Sequence, residues 1–142
     1  MTTQFQERFG DAGSYVVAYD TIRTHVDGFE IVARLEPDTE ASPREFDAPG
    51  CCFDTTDPEY GAENQAIIDA WERDEWQYFG IVLSVSRHGV TLDNHAASLW
   101  GVEGNFPTDS GRPDNSYFDT VARELIDEAV SHATELLEIL TA

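Results

Sequence analysis

Between Ser116 and Leu140 the apolar residues Val121, Ala122, Leu125, Ile126, Ala129, Ala133, Leu136, Leu137 and Leu140 recur at helical spacing and form one stripe. Ser116 or Asn115 stands where an N-cap is needed, at the end of the polar run "NFPTDSGRPDNS". Fully burying each large aliphatic side chain contributes roughly 1.5–3 kcal/mol, so a stripe of this length must lie on a broad apolar surface. The remaining chain therefore has to supply a sheet.

Four segments fit that requirement. "SYVVAYDTI" and "FEIVARLE" are rich in β-branched and aromatic residues, and the polar "THVDG" between them predicts a hairpin. Within the second, Phe29, Ile31, Ala33 and Leu35 alternate with Glu30, Val32, Arg34 and Glu36, so the odd positions should face the core. Later, Phe79, Ile81, Leu83 and Val85 take one strand face, and Trp76, Tyr78, Val82, Ser84 and Ser86 the other. "RHG" turns this strand into "VTLDNHAASLWGVE", with a bulge expected around Asp93 to His95. Between the two hairpins, Asp57 is placed as an N-cap with Pro58 at the first position of a short helix ending near Arg73. Ala66, Ile67, Ala70 and Trp71 form its apolar side. The order ββαββα predicts an α+β fold: an antiparallel sheet of about four strands, with a short central helix and a long C-terminal helix packed on one face. A chain of 142 residues fits one domain, with residues 1–13 expected as a loose arm and 37–57 as a long acidic loop, partly mobile.

Charge narrows the partners. The chain has 28 acidic residues against 8 basic ones, all arginine, for a formal net charge of −20. Such a surface repels nucleic-acid phosphates and anionic membranes, so direct nucleic-acid binding and membrane association are not expected. A cationic partner complements it. Acidity also serves solubility or life at high salt, and that reading stays open. No apolar run reaches the roughly 18 residues of a membrane span, and "MTTQFQERFGDAG" lacks the basic and apolar regions of a signal peptide, which predicts a soluble, cytoplasmic protein.

Residue types with chemical potential are few. Cys51 and Cys52 are adjacent and have no third cysteine to pair with, which fits a reducing compartment. A metal needs three or four ligands, and His25, His88, His95 and His132 show no ligand spacing, so neither metal nor cofactor is expected. "GDAG" and "GVEG" lack the setting of a phosphate-binding loop. His, Ser and Asp come close in sequence only around Ser84, Ser86, His88, Asp93, His95 and Ser98, and a small enzyme would be built there.

The acids are densest from Glu36 to Glu75. Glu36, Asp38, Glu40, Glu45, Asp47 and Asp54 precede the predicted helix; Asp57, Glu59, Glu63, Asp69, Glu72, Asp74 and Glu75 begin, line and follow it. Only Arg44 and Arg73 oppose them. DNA carries one charge per roughly 1.7 Å of axis, and a helix advances about 1.5 Å per residue, so carboxylates at short intervals can approximate a row of phosphates. Next to this segment, Trp76, Tyr78, Trp100 and Phe106 either form an aromatic patch for a partner or cover the sheet beneath a loop. Trp76 is included with the acids as a candidate partner-binding residue, and a homodimer is compatible with the same surface.

The strings "EWQYFGIVLSVSR", "HAASLWGVEG" and "DNSYFDTVARELIDEA" resemble a group of small acidic proteins of phages and integrated elements, with a Trp-x-Tyr strand followed by Ala-Ser-Leu-Trp-Gly. The resemblance covers the C-terminal half, through Trp76, Tyr78, Gly80, Ala97, Ser98, Leu99, Trp100, Gly101 and Glu103, and implies a mobile-element setting but no activity. Charge and resemblance together suggest a non-enzymatic, nucleic-acid-mimicking inhibitor of a basic nucleic-acid-binding host protein, of the anti-restriction or anti-CRISPR type. The alternatives are a salt-adapted accessory domain and a small enzyme.

Overall fold

The computed structural model describes residues 5–9 and 15–141. Its elements are β1 (Thr21–Val26), β2 (Phe29–Pro37), a short 3-10 turn (Pro43–Phe46), α1 (Gly61–Glu72), β3 (Gln77–Arg87), β4 (Val90–Gly104) and α2 (Ser116–Thr141). The four strands form one antiparallel meander in the order β1-β2-β3-β4. The α+β class and the four-stranded sheet expected from alternation are present.

Both hairpins turn on two residues with positive φ, Asp27 (52°) with Gly28 (84°) and His88 (51°) with Gly89 (78°), the backbone a tight hairpin matched to strand twist needs. The first turn corrects one boundary. β1 begins at Thr21 and runs through Val26, whereas Tyr15 to Tyr19 stay outside the sheet. Tyr19, at φ 69°, still donates its N–H to Leu35 O of β2 at 2.6 Å, and at Val16 a side chain replaces a strand partner: Asn105 Nδ2 donates to Val16 O at 3.0 Å and its Oδ1 accepts from Val16 N at 2.9 Å.

The main core lies on the face predicted for it. Phe29, Ile31, Ala33, Leu35, Phe79, Ile81, Leu83 and Val85 are all buried there, under Phe118, Val121, Ala122, Ile126, Ala129 and Ala133 of α2. Phe79 meets Phe118 edge to face at 5.7 Å. The stripe of α2 is shorter than its spacing predicted: Leu125, Leu136 and Leu137 are half-buried, and Leu140 is 71% exposed because the helix outruns the sheet. Phe5 and Phe9 pack into the same core, so within the expected loose arm residues 5–9 are anchored; the rest of residues 1–13 lies outside the described residues.

α1 does not join that core. Its Ile68 and Ala70 are buried with Phe53, Trp76 and Tyr78 in a second cluster. Tyr78 alternates with Phe79 along β3, so this cluster occupies the sheet side opposite α2. Ile68, not Ile67, is the fully buried isoleucine of α1.

Candidate functional site

The acidic segment is not a free excursion, because four of its aspartates build its turns. Asp38 Oδ1 accepts from Glu40 N (3.1 Å) and Ala41 N (3.3 Å). Asp47 Oδ1 accepts from the backbone and hydroxyl of Thr55 at 2.9 and 2.8 Å. Asp54 accepts from Thr56 N, Thr56 Oγ1 and Gly50 N, at 2.9, 2.6 and 3.2 Å. The Thr56 hydroxyl, then its backbone N–H, hold the Asp54 carboxyl below its ordinary pKa. Asp57 Oδ1 accepts from Glu59 N (2.8 Å) and Tyr60 N (2.9 Å). It therefore closes the turn before α1 instead of capping the helix, whose N-cap position is Tyr60 without a side-chain bond. At Asp38, Asp54 and Asp57 the short side chain reaches the backbone two or three residues on, and Asp47 reaches across to Thr55, so these acids sit where the irregular chain bends.

Other members of the run are paired. Glu36 accepts from Arg34, Glu75 from Arg73, Glu72 pairs with Arg44, and Asp69 accepts from Gln65. Five remain, Glu40, Glu45, Glu59, Glu63 and Asp74, exposed and with no side-chain partner among the described residues. The thirteen carboxylates thus divide into a structural set and a smaller outward set. Asp54, only 7% exposed, is withdrawn from any partner.

Trp76 is withdrawn further. It is 1% exposed, its Nε1 donates to Ile67 O at 2.8 Å, and its ring meets Tyr78 at 5.2 Å and Phe106 at 4.9 Å. Its placement in a partner surface is overturned by Phe53, Ile68 and Phe106, which close over it. Trp100 is the reverse case, 42% exposed beside Leu99 at 40%. Its ring lies directly on the Gly80 backbone, where an added Cβ would come within 2.2 Å of it. β4 bulges here, since Phe79 pairs with Val102 but Ile81 with Leu99, and Gly101 takes φ 74° with its N–H donating to Asp38 Oδ2 at 2.9 Å.

The Ser, His and Asp residues separate into two pairs. His95 Nε2 lies 2.8 Å from Ser98 Oγ, which also accepts from Trp100 Nε1 at 3.2 Å. The carboxylate of Asp93 turns elsewhere, accepting from His95 N at 2.8 Å and meeting His132 Nε2 of α2 at 2.5 Å. The His95 backbone bond first, and the His132 contact after it, hold Asp93 below its ordinary pKa. Among the described residues no carboxylate hydrogen-bonds to the His95 ring, and Ser84, Ser86 and His88 join neither pair. The bulge expected at Asp93 to His95 is present, and it brings Asn94 O to Arg34 at 2.8 Å.

Trp100 stands between two open grooves. One, of about 400 Å³, is lined by Pro37, Asp38, Thr39 and Glu40; the other, of about 490 Å³, includes Glu103, Phe106, Asp114 and Tyr117. Partial burial pushes the Glu103 carboxyl above its ordinary pKa, and burial takes the hydroxyl of its cross-strand neighbour Tyr78 to about 12. Among the described residues, no three His, Cys, Asp or Glu side chains converge as a metal would require, and no helix is long and apolar enough to cross a membrane. No family model, no curated protein and no solved structure matches this chain.

Proposed function

We propose that the protein is an acidic, non-enzymatic binding protein that occupies the nucleic-acid-binding surface of a basic host protein and so inhibits it. The observation that carries this reading is the outward set Glu40, Glu45, Glu59, Glu63 and Asp74, unpartnered on a chain of net charge −20. Among the described residues no side chain pairs with these groups, so they stay free to attract a cationic surface, and a field of this sign raises encounter rates by about 10- to 1,000-fold at low salt. The resemblance to proteins of phages and integrated elements points to restriction and CRISPR components as targets. Exposed, unpaired Cys51 and Cys52 suit a reducing cytoplasm. The test is a column of the immobilised protein challenged with host extract at low salt. Nucleic-acid-binding proteins should be retained and then released by duplex DNA; retention indifferent to DNA, or none, sinks the mimicry.

A second reading has its own observation. The outer face of α2 carries exposed Glu124, Asp127, Glu128, Glu135 and Glu138, on the sheet side opposite α1. Acids on both sides with no lysine anywhere suit a salt-adapted accessory domain. Unfolding below about 1 M salt would favour that reading, and a fold stable at about 0.1 M would favour the first.

A further inference from the structure

Trp100 is an unusual surface residue because its ring is fixed without being covered. Gly80 offers bare backbone beneath the indole, and any side chain there would occupy the space of Trp100 itself. Ser98 Oγ accepts from the indole N–H and meets the ring of His95, which lies beside Trp100 at 6.3 Å between centroids and 28° from parallel. Asp38 grips the N–H of Gly101, the next residue. A side chain held this way has already lost its rotamer freedom, so a partner binding it is spared that ordering cost.

Both flanks of the ring are acidic. Asp38 and Glu40 line the groove on one side, and Glu103 and Asp114 the groove on the other. Among the described residues no arginine is seen over the Trp100 ring: Arg34, Arg44 and Arg73 pair with carboxylates, and Arg87 lies over Phe29 at 5.6 Å. Tryptophan is the best aromatic acceptor of a cation, and a planar guanidinium can stack on the ring while its remaining N–H groups reach carboxylates at either edge. The compact, strongly hydrated lysine ammonium has no planar face to stack on the ring.

We propose that Trp100 and its two flanking grooves form the seat for an arginine side chain presented by a basic segment of the partner protein. This rests on the cationic-partner reading above and deepens it by naming the anchor and the residue type it selects. Tryptophan and arginine dominate interface hot spots, and here the desolvated centre would be Trp100, with the carboxylates as its rim.

The test is calorimetric titration of the protein at low salt with a short polyarginine peptide and a length-matched polylysine peptide. Trp100→Ala should weaken polyarginine binding by about 5- to 30-fold and polylysine binding less, with Trp100→Phe in between. Gly80→Ala, which displaces the ring without removing it, should also weaken polyarginine. The double variant Glu45→Gln with Glu63→Gln, which removes two charges outside the grooves, should weaken both peptides alike. If Trp100→Ala binds polyarginine as the native protein does while the double variant is weakened, the arginine seat is overturned and the cationic-partner reading stands. A native protein that binds neither peptide overturns both. Independently of any variant, the Trp100 indole N–H resonance of the native protein must shift on adding polyarginine, and an unmoved signal also overturns the seat.

Discussion

Trp76 and Trp100 look alike in the sequence, each a tryptophan near a β-strand end in an otherwise apolar stretch, and the fold gives them opposite fates. Trp76 is sealed by Phe53, Ile68 and Phe106, so Trp76→Ala should cost about 3–5 kcal/mol of stability in urea unfolding, whereas Trp76→Phe should lose chiefly the Ile67 hydrogen bond, about 1–2 kcal/mol. A small loss for Trp76→Ala would mean that the second cluster does not close as described. Asn105 was missed in the sequence, lying in a polar stretch that reads only as loop. It accepts from Val16 N and Asn115 Nδ2 and donates to Val16 O, tying an extended segment, the end of β4 and the start of α2 together at φ 61°. Asn105→Gly keeps that backbone conformation and removes the bonds, so a loss of about 2–3 kcal/mol in the same assay isolates them. An Asn in a polar run was the only signal available, and it does not say what the amide will hold.

Among the elements, α2 shows how far periodicity reaches. Its stripe was legible because α-helical spacing sorts residues by face, but where the stripe stops being covered depends on the length of the sheet beneath. Ile126→Ala should destabilise by about 2–5 kcal/mol, and Leu140→Ser, beyond the sheet, by under about 0.5 kcal/mol. The junction of α2 with β4 carries a pH signature. Asp93 has a folded pKa below its unfolded value, so its stabilisation is complete above the ordinary aspartate range and is lost as pH falls through the lowered value. Asp93→Asn should therefore be less stable than the native protein at neutral pH, with the difference shrinking as pH falls below the ordinary aspartate range and through the lowered value. Glu103 has the opposite sign: its folded pKa is raised, so ionisation disfavours the fold, and Glu103→Gln should be the more stable form at neutral pH and lose that advantage as acid protonates the native groove. Urea midpoints across pH check both. β2, β3 and β4 were legible from alternation, but β1 lies where the sequence suggested the connecting turn, and the bulge at Gly101 was not legible, because a bulge is a property of two strands in register.

For the whole molecule, the −20 charge predicts that salt stabilises the fold by screening self-repulsion. The urea midpoint should rise with added NaCl, most steeply between about 0.01 and 0.15 M, where the screening length falls from about 30 to about 8 Å. A flat midpoint would mean that the acids are too dispersed to repel one another. By itself the sequence determined the α+β class, the face that the residues of β2 and β3 take and the stripe of α2, because alternation and helical spacing are local quantities. The tertiary structure alone decided which aspartates are spent on turns, that α1 and α2 lie on opposite sides of the sheet, and that Trp76 is inside while Trp100 is out. Period two assigns a residue to a face but not what covers that face; the covering residues Phe53, Ile68 and Phe106 come from three separate parts of the chain, and their meeting over Trp76 is a long-range packing outcome that no local pattern encodes.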